Sequence, residues 1–188
     1  MVHLEARPLS HQIALRPVCA ADSVLLDRWR LEPSVRRHQP LSEASVAQLQ
    51  ADLARQDMAD LYLGRGDKFQ WIISVGSQPA GWVTLVVTNW AHGLAEIGYA
   101  LSTPFQRQGI MPVALRDLLT LVFQRTQLRR IEARCSVKNV GSYRVLEKVG
   151  FRREGHLRAY FLLEGRAVDN YLYAVLRSDF TGIQGLRI

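Results

Sequence analysis

The spacing of apolar residues along the chain changes period several times, and each change predicts an element. Ile13-Ala14-Leu15-Arg16-Pro17 reads as a short strand stopped by proline. Residues 20–30 and 44–56 carry apolar positions at helical spacing, for example Ala47, Leu49, Leu53 and Ala54. Gln70–Val75 and Ala80–Val87 are β-branched runs joined by Gly76-Ser77-Gln78-Pro79, a hairpin signal. Ala95–Leu101 is a further strand, bounded by His92-Gly93 and Ser102-Thr103-Pro104. A helix is expected to start near Pro112, with Ala114, Leu115, Leu118, Leu119, Val122 and Phe123 as its apolar stripe.

Arg130–Val137 alternates as a strand. Asn139–Val149 reads as a short helix with Asn139 as N-cap and Gly150 as its stop. Residues 157–163 and 168–176 flank Glu164-Gly165-Arg166 as a closing hairpin. The order β-α-α-β-β-β-α-β-α-β-β predicts an α/β (α+β) fold: a mixed, mostly antiparallel sheet with a parallel pair in its middle and flanking helices. No repeat, low-complexity tract or linker divides the chain, so one domain over residues 1–188 is expected.

Composition narrows the classes. Apolar residues at 48% and charged residues at 22% are ordinary globular usage, which argues against wholesale disorder. No apolar run approaches the roughly 18 residues of a membrane helix. Met1 to Pro8 has no apolar signal core, so a cytoplasmic protein without a membrane partner is expected. Cys19 and Cys135 are too few for a disulfide framework, and the five histidines lack metal-ligand spacing, so no metal is expected. Arg65-Gly66-Asp67 reads as a turn.

Charge is uneven. Residues 1–96 hold nine basic and ten acidic side chains, whereas residues 97–188 hold fifteen and seven, a net of +8. Since 21 of the 24 bases are Arg, whose fork suits phosphate, the second half invites a polyanionic ligand. Within it, Gln106-Arg107-Gln108-Gly109-Ile110-Met111 leads from a strand into a helix. Backbone N–H groups at such a helix N-terminus form an anion site, and Gly109 lets the backbone approach a pyrophosphate. Taken alone, the same residues also fit a plain surface loop with a turn glycine.

Its neighbours add a pattern. Glu96-Ile97-Gly98-Tyr99-Ala100-Leu101, the loop 106–111, Arg130-Ile131-Glu132-Ala133 and Asn139-Val140-Gly141-Ser142-Tyr143-Arg144-Val145-Leu146-Glu147-Lys148-Val149-Gly150-Phe151 together resemble the GCN5-related N-acetyltransferase (GNAT) superfamily, most closely its RimJ/RimL branch. The resemblance is strongest over residues 94–177. It implies an acetyl-CoA enzyme in which two central strands splay apart. The pantetheine arm would bond the backbone near Ala100 and Leu101, and the pyrophosphate would lie on the N–H groups of Gln106, Arg107, Gln108, Gly109, Ile110 and Met111. Asn139 would touch the arm. The branch commonly has Gly where Arg107 stands and Lys where Gln108 stands, and family loops often have Gly or Ala in place of Met111.

The same resemblance assigns chemistry. Many members carry a tyrosine where Leu146 stands, so Ser142 inherits the role of proton donor to the leaving thiolate. Glu96 matches the glutamate that takes the acceptor's proton, usually through water; it could equally be a structural carboxylate. Arg158-Ala159-Tyr160-Phe161 lacks the acid that some relatives use. Cys135 is the least favoured nucleophile, because direct attack needs no covalent intermediate. Branch resemblance favours a protein N-terminal amine, such as that of a ribosomal protein, as acceptor. A small amine (amino sugar, polyamine or amino-acid derivative) is the rival, with acceptor loops near residues 31–43. A non-catalytic acyl-CoA sensor or ribosome- or RNA-binding module is a rival of another class. Nucleic acid is not required by the first reading, and the oligomeric state is left open.

Overall fold

The computed structural model describes residues 13–41 and 44–181. Strand β1 (Ile13–Pro17) is followed by three short helices, α1 (Ser23–Arg30), α2 (Pro33–Arg36) and α3 (Val46–Ala54), and by a single turn, α4 (Met58–Tyr62). Then come β2 (Lys68–Val75), β3 (Gln78–Asn89), β4 (Leu94–Leu101), α5 (Ile110–Arg125), β5 (Arg130–Ser136), α6 (Val140–Val149), β6 (Arg152–Leu163) and β7 (Arg166–Leu176). The strands form one seven-stranded sheet in the order β1-β2-β3-β4-β5-β7-β6. Every pairing is antiparallel except β4 with β5.

Both faces of the sheet are covered. Helix α5 buries Leu115, Leu118, Leu119 and Val122 completely against Ile73, Val83, Leu85 and Ile97. The opposite face packs Leu26, Trp29, Val35 and Leu53 against Ile72, Trp82 and Ala100. Trp29 stacks on Trp82 with ring centres 6.2 Å apart. Two-sided burial explains why β2 does not alternate: Phe69 to Ile73 are all buried, the one polar side chain, Gln70, donating to the Thr84 hydroxyl.

The central parallel pair is short. Leu94 faces Arg130, Ala95 faces Ile131 and Glu96 faces Glu132, and there the pairing ends. Beyond it β4 stays on β3 as far as Leu101, while β5 stays on β7 as far as Ser136. The two strands therefore diverge and leave a gap in the sheet.

Helix ends follow the expected chemistry. Asn139 caps α6, its side chain accepting from the Ser142 N–H at 3.1 Å. Gly150 closes that helix in the left-handed region, φ 103°, with Phe151 N bonded to Leu146 O and Gly150 N to Glu147 O. Helix α5 begins at Ile110, two residues before the expected start. Pro112 is tolerated as the third residue because first-turn N–H groups have no intrahelical partner. The first hairpin turns on Gly76 and Ser77 alone, with Pro79 already in β3 beside a register shift. Helices α2 and α4, at four and five residues, are shorter than the spacing argument detects.

Gly81 sits where β3 supports the splayed part of β4. A Cβ there would press on the Ala100 carbonyl and lie 2.8 Å from Leu101 Cα, both backbone. Gly81→Ala should destabilise the protein by about 1–3 kcal/mol, the usual penalty of overpacking, as a lower urea midpoint at unchanged slope.

Candidate active site

A cavity of about 390 Å³ occupies the gap. Strand alternation divides the side chains around it. Ala100 packs with Trp82 and Ile72 on the α1–α3 face, so Glu96 and Gly98, in phase with it, point the same way. Ile97 and Leu101 pack with α5 and α6, and Tyr99 follows them. Glu96, Gly98, Tyr99, Cys135 and Ser142 nonetheless all line the one cavity. The cavity thus passes through the sheet, and the two residues expected to be catalytic meet it from opposite faces.

Ser142 lies in the first turn of α6. Its Oγ is 3.0 Å from the Tyr99 hydroxyl, which also lies within donating distance, 3.1 Å, of the Ser142 carbonyl. Burial pushes the Tyr99 phenol far above its ordinary range, against the opposing pull of its bond to Ser142, so it stays neutral. Burial raises the pKa of the Cys135 thiol to about 11, with Ser142 pulling the other way. Tyr99 escaped functional assignment from sequence because it falls in an apolar phase with Ile97 and Leu101. The detectable signal was its polar tip in that phase.

Glu96 is half-buried and accepts a hydrogen bond through Oε2 from Arg134 Nη1. Arg134 reaches Glu132 with its other arm at 3.3 Å, and its guanidinium lies over the Tyr160 ring, 5.5 Å from the centre. Arg130 extends the chain of charges by bonding both Glu132 and Glu154. Tyr160 and Phe161, where the sequence offered no acid, form an aromatic wall of the cavity.

On the gap edge of β4, Ser102 N bonds Ala80 O, so the peptide groups of Ala100 turn toward β3 and those of Tyr99 and Leu101 toward the gap. The Tyr99 carbonyl accepts from Gln39 Nε2 at 3.0 Å and the Leu101 carbonyl from Gln106 Nε2 at 2.9 Å. Of the two backbone positions expected to meet an extended ligand, Leu101 presents its carbonyl to the gap and Ala100 does not.

The loop before α5 is strained in a particular way. Arg107 (φ 63°) and Gly109 (φ 74°) are both left-handed, and Gly109 caps the helix with no side chain. A non-glycine residue held there costs on the order of 1–3 kcal/mol. First-turn N–H groups of α5 consequently have no side-chain cap, which suits an anion. Gln108 donates to Pro104 O at 2.7 Å, fixing the turn. Ile110 and Met111 bury their side chains in the core, so only their N–H groups are available to a ligand. Asn139 joins this side of the gap through its cap on Ser142. Among the described residues no His, Cys, Asp or Glu group could hold a metal, and no helix is long and apolar enough to cross a membrane.

A strand pair splayed over an uncapped helix N-terminus defines a class, and the chain belongs to it: the acetyltransferase (GNAT) domain family matches over residues 12–152. It is an acetyl-CoA-dependent N-acetyltransferase. The uncharacterised N-acetyltransferase p20 of Bacillus licheniformis is 26% identical over 92% of this chain and 97% of its own. The [ribosomal protein uS5]-alanine N-acetyltransferase of Escherichia coli is 34% identical over 45% of this chain and 44% of its own. Among solved structures, Mycobacterium smegmatis RimJ in complex with CoA-disulfide is 28% identical, with TM-score 0.76, over 90% of this chain and 84% of that one. RimL, the ribosomal L7/L12 α-N-protein acetyltransferase, solved in complex with coenzyme A, is 25% identical, with TM-score 0.77, over 92% and 98%. A spermidine N-acetyltransferase from Vibrio cholerae shares the fold at 20% identity and TM-score 0.76, over 90% and 98%.

The buried thiol gives a direct check on the cavity. In a Cys19→Ser background, iodoacetamide should label Cys135 slowly at pH 8, and the rate should climb about tenfold per pH unit toward pH 11, because only the thiolate reacts. A plateau below pH 9 would contradict the buried setting of this cysteine.

Proposed function

We propose that this acetyltransferase acts on protein N-terminal α-amines, with the ribosomal-protein-alanine enzymes as its functional model. The carrying observation is the one cavity that crosses the sheet, with Ser142 on the α5–α6 side and Glu96 on the α1–α3 side. A thioester approaching from the first side and an amine from the second meet in the gap. The amine nitrogen attacks the thioester carbon, the C–S bond breaks, and no covalent enzyme intermediate is needed.

Acetyl-CoA would place its pyrophosphate on the N–H groups of residues 106–111, with Arg107 adding charge, and its arm along Ala100–Leu101 and Asn139. An arm pairing with β4 would meet the Tyr99 and Leu101 carbonyls, now held by Gln39 and Gln106. Ser142 would give a proton to the leaving thiolate and recover it through the Tyr99 hydroxyl. Glu96, with one oxygen on Arg134, would take the amine proton through its other oxygen, directly or by way of water. The similarity to RimJ and RimL, each solved with CoA, supports both the donor and the class of acceptor. The cytoplasm, where new N-termini emerge, is the proposed compartment.

Physical chemistry favours α-amines too. Their pKa is about 7.7–8.0, against about 10.4 for lysine, so near neutrality a useful fraction is already unprotonated. A base acting through water suffices for such an acceptor.

The deciding experiment is acetyl-CoA turnover against a panel of Ala- and Ser-initiated peptides beside spermidine and an amino sugar. Peptides should be acetylated at the α-amine, as read by mass spectrometry; turnover of the small amines alone would overturn the proposal. Ser142→Ala should lower kcat by about 10²-fold or more while acetyl-CoA affinity holds, as expected of a lost acid. Glu96→Gln should lower kcat/KM most at low pH and recover in part above the amine pKa. Parallel pH profiles for the two proteins would make Glu96 structural.

A further inference from the structure

Across the α1–α3 face of the sheet, Lys68 lies opposite Val86, Val86 opposite Glu96, and Glu96 opposite Glu132. Lys68, Val86 and Glu96 all line the cavity. Adjacent strands are about 4.8 Å apart, so the Lys68 and Glu96 backbones stand about 10 Å apart on one wall. The gap opens just beyond Glu96, which places an attacking amine at one end of this row and Lys68 at the other.

The charges along the wall are not balanced. Glu96 is matched by Arg134, which also reaches Glu132. Arg30, on α1, is half-buried, and Asp27 one turn earlier acts on it. Asp52 lines the smaller pocket beside Lys68, but it is bonded to Arg55. His38 faces the cavity from the loop after α2, and burial together with Arg37 holds its pKa below the ordinary value, so it adds little charge at neutral pH. Lys68 is exposed at the cavity's edge and makes no ion pair among the described residues. Among the described residues the acceptor side thus ends in an ammonium with no carboxylate bonded to it.

Given acetyl transfer to an N-terminal amine in this gap, we infer that the acceptor is an acidic N-terminus: Lys68 binds a carboxylate on its second or third residue. The reach agrees. An extended peptide advances about 3.4 Å per residue, so the third Cα stands roughly 8 Å from the amine. An Asp or Glu side chain there meets the Lys68 ammonium on its four-carbon stem. A polyamine, by contrast, would bring a second cation to this end of the wall. The inference separates two acceptor classes that the shared fold leaves together.

The test compares Ala-initiated peptides identical except for Asp, Asn or Lys at positions two and three, with spermidine alongside. Wild-type kcat/KM should favour the Asp peptide over the Asn peptide by about fivefold, the size of one part-exposed ion pair, with the Lys peptide lowest. That ratio should shrink between low and 1 M salt, where the screening length falls to about 3 Å. Lys68→Gln should bring the Asp/Asn ratio to about one, Lys68→Arg should keep it, and Lys68→Glu should turn the preference toward the Lys peptide. Equal turnover of Asp and Asn peptides by the wild type, or a ratio that survives Lys68→Gln, would overturn the inference while leaving N-terminal acetylation standing. Turnover of spermidine with no peptide turnover would remove both.

Discussion

Three rungs of parallel pairing between β4 and β5 set the terms for everything else in this protein. A fourth rung would begin to close the gap; fewer would release the halves of the sheet from each other. Each strand can leave its neighbour because its other edge is fully paired, β4 on β3 and β5 on β7. What remains is a free backbone edge inside the fold, and buried carbonyls without partners are costly. Gln39 and Gln106 satisfy two of them with side-chain amides. Side-chain donors suit this edge better than a third strand, since they can rotate away from an arriving ligand.

The gap also separates the chemistry. Tyr99, Cys135 and Ser142 form a neutral set on the α5–α6 side, Cys135 buried and the other two half-buried, where desolvation keeps the phenol and the thiol protonated. Glu96, Arg134, Glu132, Arg130 and Glu154 form a charged set reaching toward the other side. A proton donor to a thiolate needs the first environment, and an acceptor of an ammonium proton needs the second. Their division by a single sheet follows from side-chain alternation along β4, where Glu96 and Tyr99 fall in opposite phases.

Much of this was legible in the residues. Apolar spacing located every strand and the longer helices, and Asn139 with Gly150 marked both ends of α6 because each residue type does something at a cap that others do poorly. Gly109 was likewise visible, since its left-handed conformation is one that glycine adopts without penalty. The gap itself has no local signature, for a missing rung leaves the apolar period unchanged. Family resemblance, not spacing, pointed to it. Nor could spacing show the bond between Glu96 and Arg134, 38 residues apart, or the loop bond from Gln39 to Tyr99, 60 apart. Such contacts exist only after the sheet has formed.

The positive second half of the chain has a different meaning once its arginines are located. Arg177 donates to the Leu128 and Thr126 carbonyls, Arg129 to His92 O and Arg116 to Lys148 O. Arg130 and Arg134 answer the carboxylates beside the gap, and Arg153 lies 4.7 Å from the centre of the Tyr171 ring. These groups tie loops and strand ends together more than they present a field to a polyanion. A guanidinium does this well because its planar fork can serve two acceptors at once. Arg107 is set apart by its place: it is exposed, left-handed, and beside an uncapped helix N-terminus. Part of the charge asymmetry thus marks an internal scaffold of forked donors. The anion site proposed for acetyl-CoA falls at one loop, where a strained arginine and a turn of bare N–H groups converge.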